Sequence, residues 1–163
     1  IDENARIYYT GTLTSPLDSG SGYDLDIIAK CIKQETVPGV RILDLEIPPT
    51  KPEDRYMERG YASSEDLTSN MKIFADSYSS RSWRPTATDV IIIARDGDIT
   101  ITGMGNSNVT GIFFAPRGRV TFHGGSLEGV VIASDGLYVT SGGSTITFKN
   151  IKEYITDPED YPF

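Results

Sequence analysis

This chain of 163 residues has one cysteine, one histidine and one tryptophan, and each scarcity closes off some chemistry. With Cys31 alone, no internal disulfide can form. That fits a reducing compartment and equally an exported protein that avoids thiols. Cys31 itself reads as a small buried hydrophobe. The single histidine, His123, sits beside Gly124-Gly125 and reads as a solvated corner residue. No stretch approaches the ~18 to 20 apolar residues of a membrane span, and no signal peptide is visible. The chain begins at Ile1 instead of Met, which suggests a processed or trimmed piece and leaves targeting open. Basic residues are also short: 15 Lys and Arg stand against 23 Asp and Glu, a net charge of −8. That balance excludes the basic face nucleic acid requires and argues against an anionic membrane surface. No Gly-x-Ser-x-Gly, Cys-x-x-Cys, His-Glu-x-x-His, Gly-x-Gly-x-x-Gly or Walker loop occurs.

What the sequence does have is a repeat. Ile91-Ile92-Ile93-Ala94-Arg95-Asp96-Gly97 aligns with Ile112-Phe113-Phe114-Ala115-Pro116-Arg117-Gly118 and then with Val130-Val131-Ile132-Ala133-Ser134-Asp135-Gly136. The alanines and the following glycines step by 21 residues and then by 18. A period near 20 residues marks a stacked architecture whose units bury their apolar faces only against neighbours. Each unit offers three strand candidates separated by glycine-rich corners: the run ending in alanine, an alternating segment (Ile99-Thr100-Ile101, Val120-Thr121-Phe122, Leu137-Tyr138-Val139), and a brief third around Val109, Leu127 and Ile146. Thr145 to Phe148 begins a fourth turn. Leu137 and Val139 are offset by one residue relative to Val120 and Phe122, which predicts a bulge or a shortened corner. The recurring alanine marks a tight interior position, so Ala115→Phe is expected to cost roughly 1 to 3 kcal/mol by overpacking. Stacking at about 4.8 Å per rung gives a column on the order of 15 to 20 Å tall.

The expected fold is therefore mainly β: a short parallel β-solenoid of about three to four rungs with a small N-terminal α/β cap. Residues 1–88 read as cap and lead-in, 89–150 as rungs, and 151–163 as an extended, proline-containing tail against the side or end of the stack. Within the lead-in, Arg6 to Leu13 reads as a strand. Leu25, Ile28, Ala29 and Ile32 form one apolar stripe of a helix closed by Pro38-Gly39. Val40 to Ile47 suggests a short strand, and Pro48 to Pro52 an extended segment. For residues 63–78 two readings stand: a helix with a Ser63/Asp66 capping box and Leu67, Met71, Phe74 and Tyr78 at helical spacing, or a β-meander. The N-terminal elements and the tail are expected to cover the two open ends of the column.

Candidate chemistry is sparse. Asp96-Gly97-Asp98 resembles a calcium corner, but the next rung places Arg117-Gly118-Arg119 at the equivalent positions, which predicts inter-rung ion pairs. Arg95, Arg117 and Arg119 with the same acids imitate the groove of a polysaccharide-cleaving β-helix, but the chain has no long loops to wall one. Tyr78, Arg81, Trp83 and Arg84 form the one aromatic-basic cluster outside the repeat. They are the candidate binding residues for a surface glycan or protein ligand; covering of the first rung by Trp83 is the structural alternative. Asn108-Val109-Thr110 fits a glycosylation triplet. No catalytic, cofactor or metal residue is assigned.

The segment Val109-Thr110-Gly111-Ile112-Phe113-Phe114-Ala115-Pro116-Arg117-Gly118-Arg119-Val120-Thr121-Phe122-His123-Gly124-Gly125-Ser126-Leu127-Glu128-Gly129-Val130-Val131-Ile132-Ala133, with Leu45 to Pro49 before it and Tyr154 to Pro158 and the Pro162-Phe163 end after it, resembles the C-terminal β-solenoid domain of PilX-type type IV pilus assembly and minor-pilin-like proteins. The resemblance covers roughly residues 40 to 163. It implies a non-enzymatic, extracellular filament subunit acting in pilus assembly or adhesion, with other pilins as partners and a membrane-inserted N-terminal helix ahead of this sequence. Two alternatives remain: a bactofilin-like polymer of end-to-end solenoids, and a carbohydrate-binding or carbohydrate-active β-helix.

Overall fold

The computed structural model describes residues 6–9, 11–12, 28–35, 46–80, 86–102 and 108–163. The chain divides into two compact units, Ile1–Leu45 and Glu46–Phe163. In the first, β1 (Ile7–Tyr9) runs parallel to β2 (Cys31–Lys33) with Ile7 opposite Cys31. A parallel pair needs a long crossover, and Ile28 is helical just before β2. The predicted helical stripe nevertheless does not reach Ile32, which lies in the β-branched strand β2. Cys31 is half-buried instead of fully enclosed. The strand expected over 40–47 falls mostly outside the described residues.

The second unit is a parallel β-solenoid of about four turns. Its strands are β3 (Lys72–Ala75), β4 (Tyr78–Ser80), β5 (Ala87–Ala94), β6 (Ile99–Ile101), β7 (Asn108–Ala115), β8 (Val120–Phe122), β9 (Ser126–Ala133), β10 (Leu137–Val139) and β11 (Thr145–Phe148). Odd-numbered strands stack as one five-stranded sheet in the order β11-β9-β7-β5-β3. Even-numbered ones stack as a four-stranded sheet in the order β10-β8-β6-β4. Each turn thus has one long and one short strand. The brief third strand of the sequence reading is the front half of the long one, joined to it at a glycine. Gly111 and Gly129 sit opposite each other at that joint with φ of 150° and 148°. A Cβ on Gly111 would overlap the Val90 carbonyl, and one on Gly129 the Gly111 carbonyl. Only glycine lets the backbone bend there while the turns remain in contact.

The solenoid begins earlier than the expected residue 89. β3 pairs with β5 and β4 with β6 in register, so residues 72–80 are the first turn. The segment 63–78 has no helix: Lys72–Ala75 and the start of Tyr78–Ser80 are strands, and residues 63–71 are turns, bends and irregular chain. Leu67, Met71, Phe74 and Tyr78 are all buried, but Phe74 faces a different core from the other three. Pairing to a ready-made neighbour outweighs helical spacing here. This turn stands outside the repeat pattern because only two residues link Ala75 to Tyr78, where the later corners use three or four.

Side chains alternate between two cores. Inside the coil stack Ile73, Ile92, Phe113 and Val131; Ala87, Val109, Leu127 and Ile146; and, on the short strands, Ile99, Val120 and Leu137. The alanine column is there too: Ala94 and Ala115 are fully buried, with Ala75 and Ala133 at its ends. Leu137 pairs directly with Val120 and Val139 with Phe122. The one-residue offset is absorbed by a corner one residue shorter, Ser134-Asp135-Gly136, turning on Gly136 at φ 78°.

On the outer face of the long sheet lies a second core of Phe74, Ile93 and Phe114 with Tyr56 and Tyr61. A strap covers it. Pro52, at φ −57° and ψ 146°, leads from an extended segment into α1 (Glu53–Glu58). A six-residue helix is too short to persist alone; α1 is held by Tyr56, which is 2% exposed and stacks on Phe74 at 4.1 Å between ring centroids. From the other end of the unit, two 3-10 turns (Ile151–Glu153 and Pro158–Asp160) bring Phe163 edge-on to Phe114. The tail therefore lies along the side of the stack and not over its end.

Candidate functional site

The strap is fastened at several points. Tyr56 receives a hydrogen bond from the Lys51 amide (2.8 Å) and donates one to the Pro162 carbonyl (2.7 Å). Lys51 Nζ donates to the carbonyls of Glu159 (3.1 Å) and Tyr161 (2.5 Å), and Arg59 pairs with Asp160. Desolvation, with Arg55 and Arg59 close by, pulls the Lys51 ammonium below its usual pKa.

Between the strap and the outer ladder of the sheet runs a cleft of about 460 Å³, lined by Tyr61, Asn70, Lys72, Asp89, Ile91 and Tyr154, with the Arg59–Asp160 pair on one wall. Asn70 and Asp89 both hold left-handed backbone, at φ 64° and 57°. They occupy neighbouring turns, linked by the Asn70 amide donating to the Thr88 carbonyl at 2.8 Å. Asp89 falls where the register between β5 and β7 shifts, and such bulges re-aim a side chain. The Lys72 ammonium lies 5.7 Å from the Tyr61 ring centroid. Burial pushes the Tyr61 hydroxyl up to about 12, with Tyr56 adding to the effect, so it stays protonated and able to donate. Among the described residues, neither the Asp89 carboxylate nor the Lys72 ammonium has a hydrogen-bonding or ion-pair partner.

The acids of the Asp96-Gly97-Asp98 corner are occupied. Asp96 accepts from Arg95 Nε (2.9 Å) and from Arg117 Nη1 on the next turn (2.6 Å), while Asp98 accepts from the Arg119 amide (2.9 Å). The Arg95 hydrogen bond, followed by that of Arg117, holds the Asp96 carboxyl below the usual carboxylate range. Arg95 also pairs with Asp76 and Glu53, and the Arg119 guanidinium lies over the Tyr138 ring. The corner is an exposed inter-turn ladder, as the spacing predicts. Among the described residues no group of three or more His, Cys, Asp or Glu is placed to hold a metal ion.

Of the four residues proposed for binding, only Tyr78 is described; Arg81, Trp83 and Arg84 lie outside the described residues. Tyr78 fills the interior of the first turn, 7% exposed, with its hydroxyl donating to the Glu65 carbonyl at 3.2 Å. It is a core residue and not part of a surface cluster. His123 sits at its corner with Nδ1 3.1 Å from Thr140 Oγ1. Asn108 accepts a 2.6 Å hydrogen bond from Ser126 on the next turn. Sequence reasoning missed the cleft. Its one local signal is a pair of turn-favouring residues, Asn70 and Asp89, 19 positions apart at the period of the repeat.

Among the described residues no helix is long and apolar enough to cross a membrane. No protein-family model matches the chain, and neither the curated proteins nor the solved structures provide a match.

Proposed function

We propose that this chain is a non-catalytic scaffold subunit of a type IV pilus-like filament at the cell surface, working in assembly or adhesion. The observation that carries this reading is the inequality of the two ends of the column. At the first turn Ala62 bridges to Ile73, and Leu67 and Met71 close the interior. At the last turn, among the described residues, no strand pairs with the outer edges of β10 and β11. A solenoid with one covered end lacks the second bare turn that end-to-end stacking of strand on strand requires. That sets this reading above the bactofilin-like polymer. A polysaccharide-cleaving role for the Asp96-Gly97-Asp98 corner needs free carboxylates, and both are engaged in the corner ladder.

Immunogold microscopy of intact cells with antibody to residues 46–163 tests the proposal. Label on surface filaments supports it; label confined to the cytoplasm overturns it. Sedimentation of the purified chain separates it from the polymer alternative: a finite small species is expected, and concentration-dependent filaments would reverse the ranking.

A further inference from the structure

The lateral cleft has no part in a packing role, yet its construction is unlike ordinary surface. Two non-glycine residues in left-handed backbone stand side by side on consecutive turns, a conformation that Asn and Asp adopt more readily than other side chains. The effect is to present a carboxamide and a carboxylate together at the mouth of the cleft. Two residues further along the same two turns Lys72 pairs with Ile91, and the rings of Tyr61 and Tyr154 complete the lining, the Tyr154 hydroxyl donating to the Glu128 carbonyl at 3.3 Å. The volume of about 460 Å³ falls within the ~300 to 1,000 Å³ of small-molecule sites.

The chemistry of the lining selects among ligands. The lining holds two cations (Arg59, Lys72) and two anions (Asp89, Asp160), with Arg59 and Asp160 already paired, so the charge is balanced, and neither a net anion nor a net cation gains from entering. A carboxylate only accepts hydrogen bonds, an ammonium only donates them, and a carboxamide does both. The group that answers all three at once is a hydroxyl, and vicinal hydroxyls can bridge Asp89 to Asn70 or Lys72. Ile91 and the tyrosine rings supply an apolar floor for the C–H face of a ring. We infer that this cleft is a binding site for a neutral saccharide of one or two units, held by Asp89, Asn70 and Lys72 against Tyr61 and Tyr154. This goes beyond the filament role and stands independently of it.

The experiment is an amide-shift titration of the 15N-labelled full chain with glucose, galactose, N-acetylglucosamine, lactose, cellobiose and chitobiose, with glucuronate and alanine as anionic and zwitterionic comparators. Saturable shifts at the amides of Asn70, Lys72 and Ile91 are expected for at least one neutral sugar. Asp89→Gly keeps a residue at ease at φ 57° while removing the carboxylate. It should leave the melting temperature unchanged or raised and weaken binding roughly tenfold or more. Lys72→Met, which keeps the apolar stem, should weaken binding in the same direction. The inference is overturned if no neutral sugar in the panel gives saturable shifts at these amides, if Asp89→Gly and Lys72→Met bind as tightly as the parent, or if glucuronate or alanine binds more tightly than every neutral sugar.

Discussion

The long sheet buries both of its faces, but by different means. Its inner face is closed by the solenoid itself: Phe113 is covered by the short strands opposite and by the turns above and below. Its outer face, carrying Phe114 one residue later, is closed by two segments far apart in sequence, the 47–61 lead-in and the tail ending at Phe163. Both phenylalanines are fully buried. The inner core is a property of the repeat, and losing it means losing the fold. The outer core depends on a fastening that can open while the coil stays intact. Stability is therefore expected to be graded from inside to outside.

The largest effect is expected at the joint that lets the two faces coexist. Gly111→Val places a side chain against the Val90 carbonyl at a backbone angle that a β-branched residue resists; the cooperative urea transition should disappear. Next come the paired truncations. Phe113→Ala should cost about 5 kcal/mol and Phe114→Ala about 3 kcal/mol, because the strap can settle into its cavity whereas the inner layers cannot. Equal or reversed losses in urea midpoints would break the distinction between the faces. Smaller again is Tyr56→Phe, which strands the Lys51 amide and the Pro162 carbonyl and should cost about 1 to 3 kcal/mol. Hydrogen exchange should then quicken in residues 50–61 and 155–163 while the amides of β5 and β7 remain protected. Uniform acceleration would mean that strap and coil open as one.

The smallest effect concerns the exposed charges. Hydrogen bonding to Arg95 depresses the Asp96 carboxyl, and hydrogen bonding to the Asn150 amide depresses that of Glu153. A depressed folded-state pKa contributes stability above the unfolded value that is lost as pH falls through the folded one, so both contributions should fade below about pH 4. Asp96→Asn should flatten part of that acid limb by lowering the urea midpoint slightly at neutral pH and leaving it nearly unchanged once the carboxyl is protonated in the parent.

The inner core was readable because it is periodic. Ala94, Ala115 and Ala133 announce the long strands, and Thr100 and Thr121 alternate outward between buried neighbours on the short ones. The turn formed by β3 and β4 lacked the alanine-to-glycine signature and has a two-residue corner, so its period was hidden although its residues were seen to be apolar. The strap was readable only as a tail against the side or end of the stack: the fastening of its two segments to each other, Tyr56 to Pro162, spans 106 residues, and nothing local encodes it. The cleft inherits that opacity, since one of its walls is the strap. Tyr78 was misjudged for a related reason. An aromatic beside basic residues looks like a surface group until the pairing of β4 with β6 turns it inward.

The bond from Lys51 Nζ to the Tyr161 carbonyl joins residues 110 positions apart, so the solenoid unit begins where it ends. In topological terms it is a ring closed by a non-covalent clasp. Rings of this kind tolerate relocation of their chain ends to exposed turns. A chain with 163 linked to 46 and new termini opened between Gly142 and Gly143 would keep every strand pairing of β3 to β10 and convert the clasp into a covalent link.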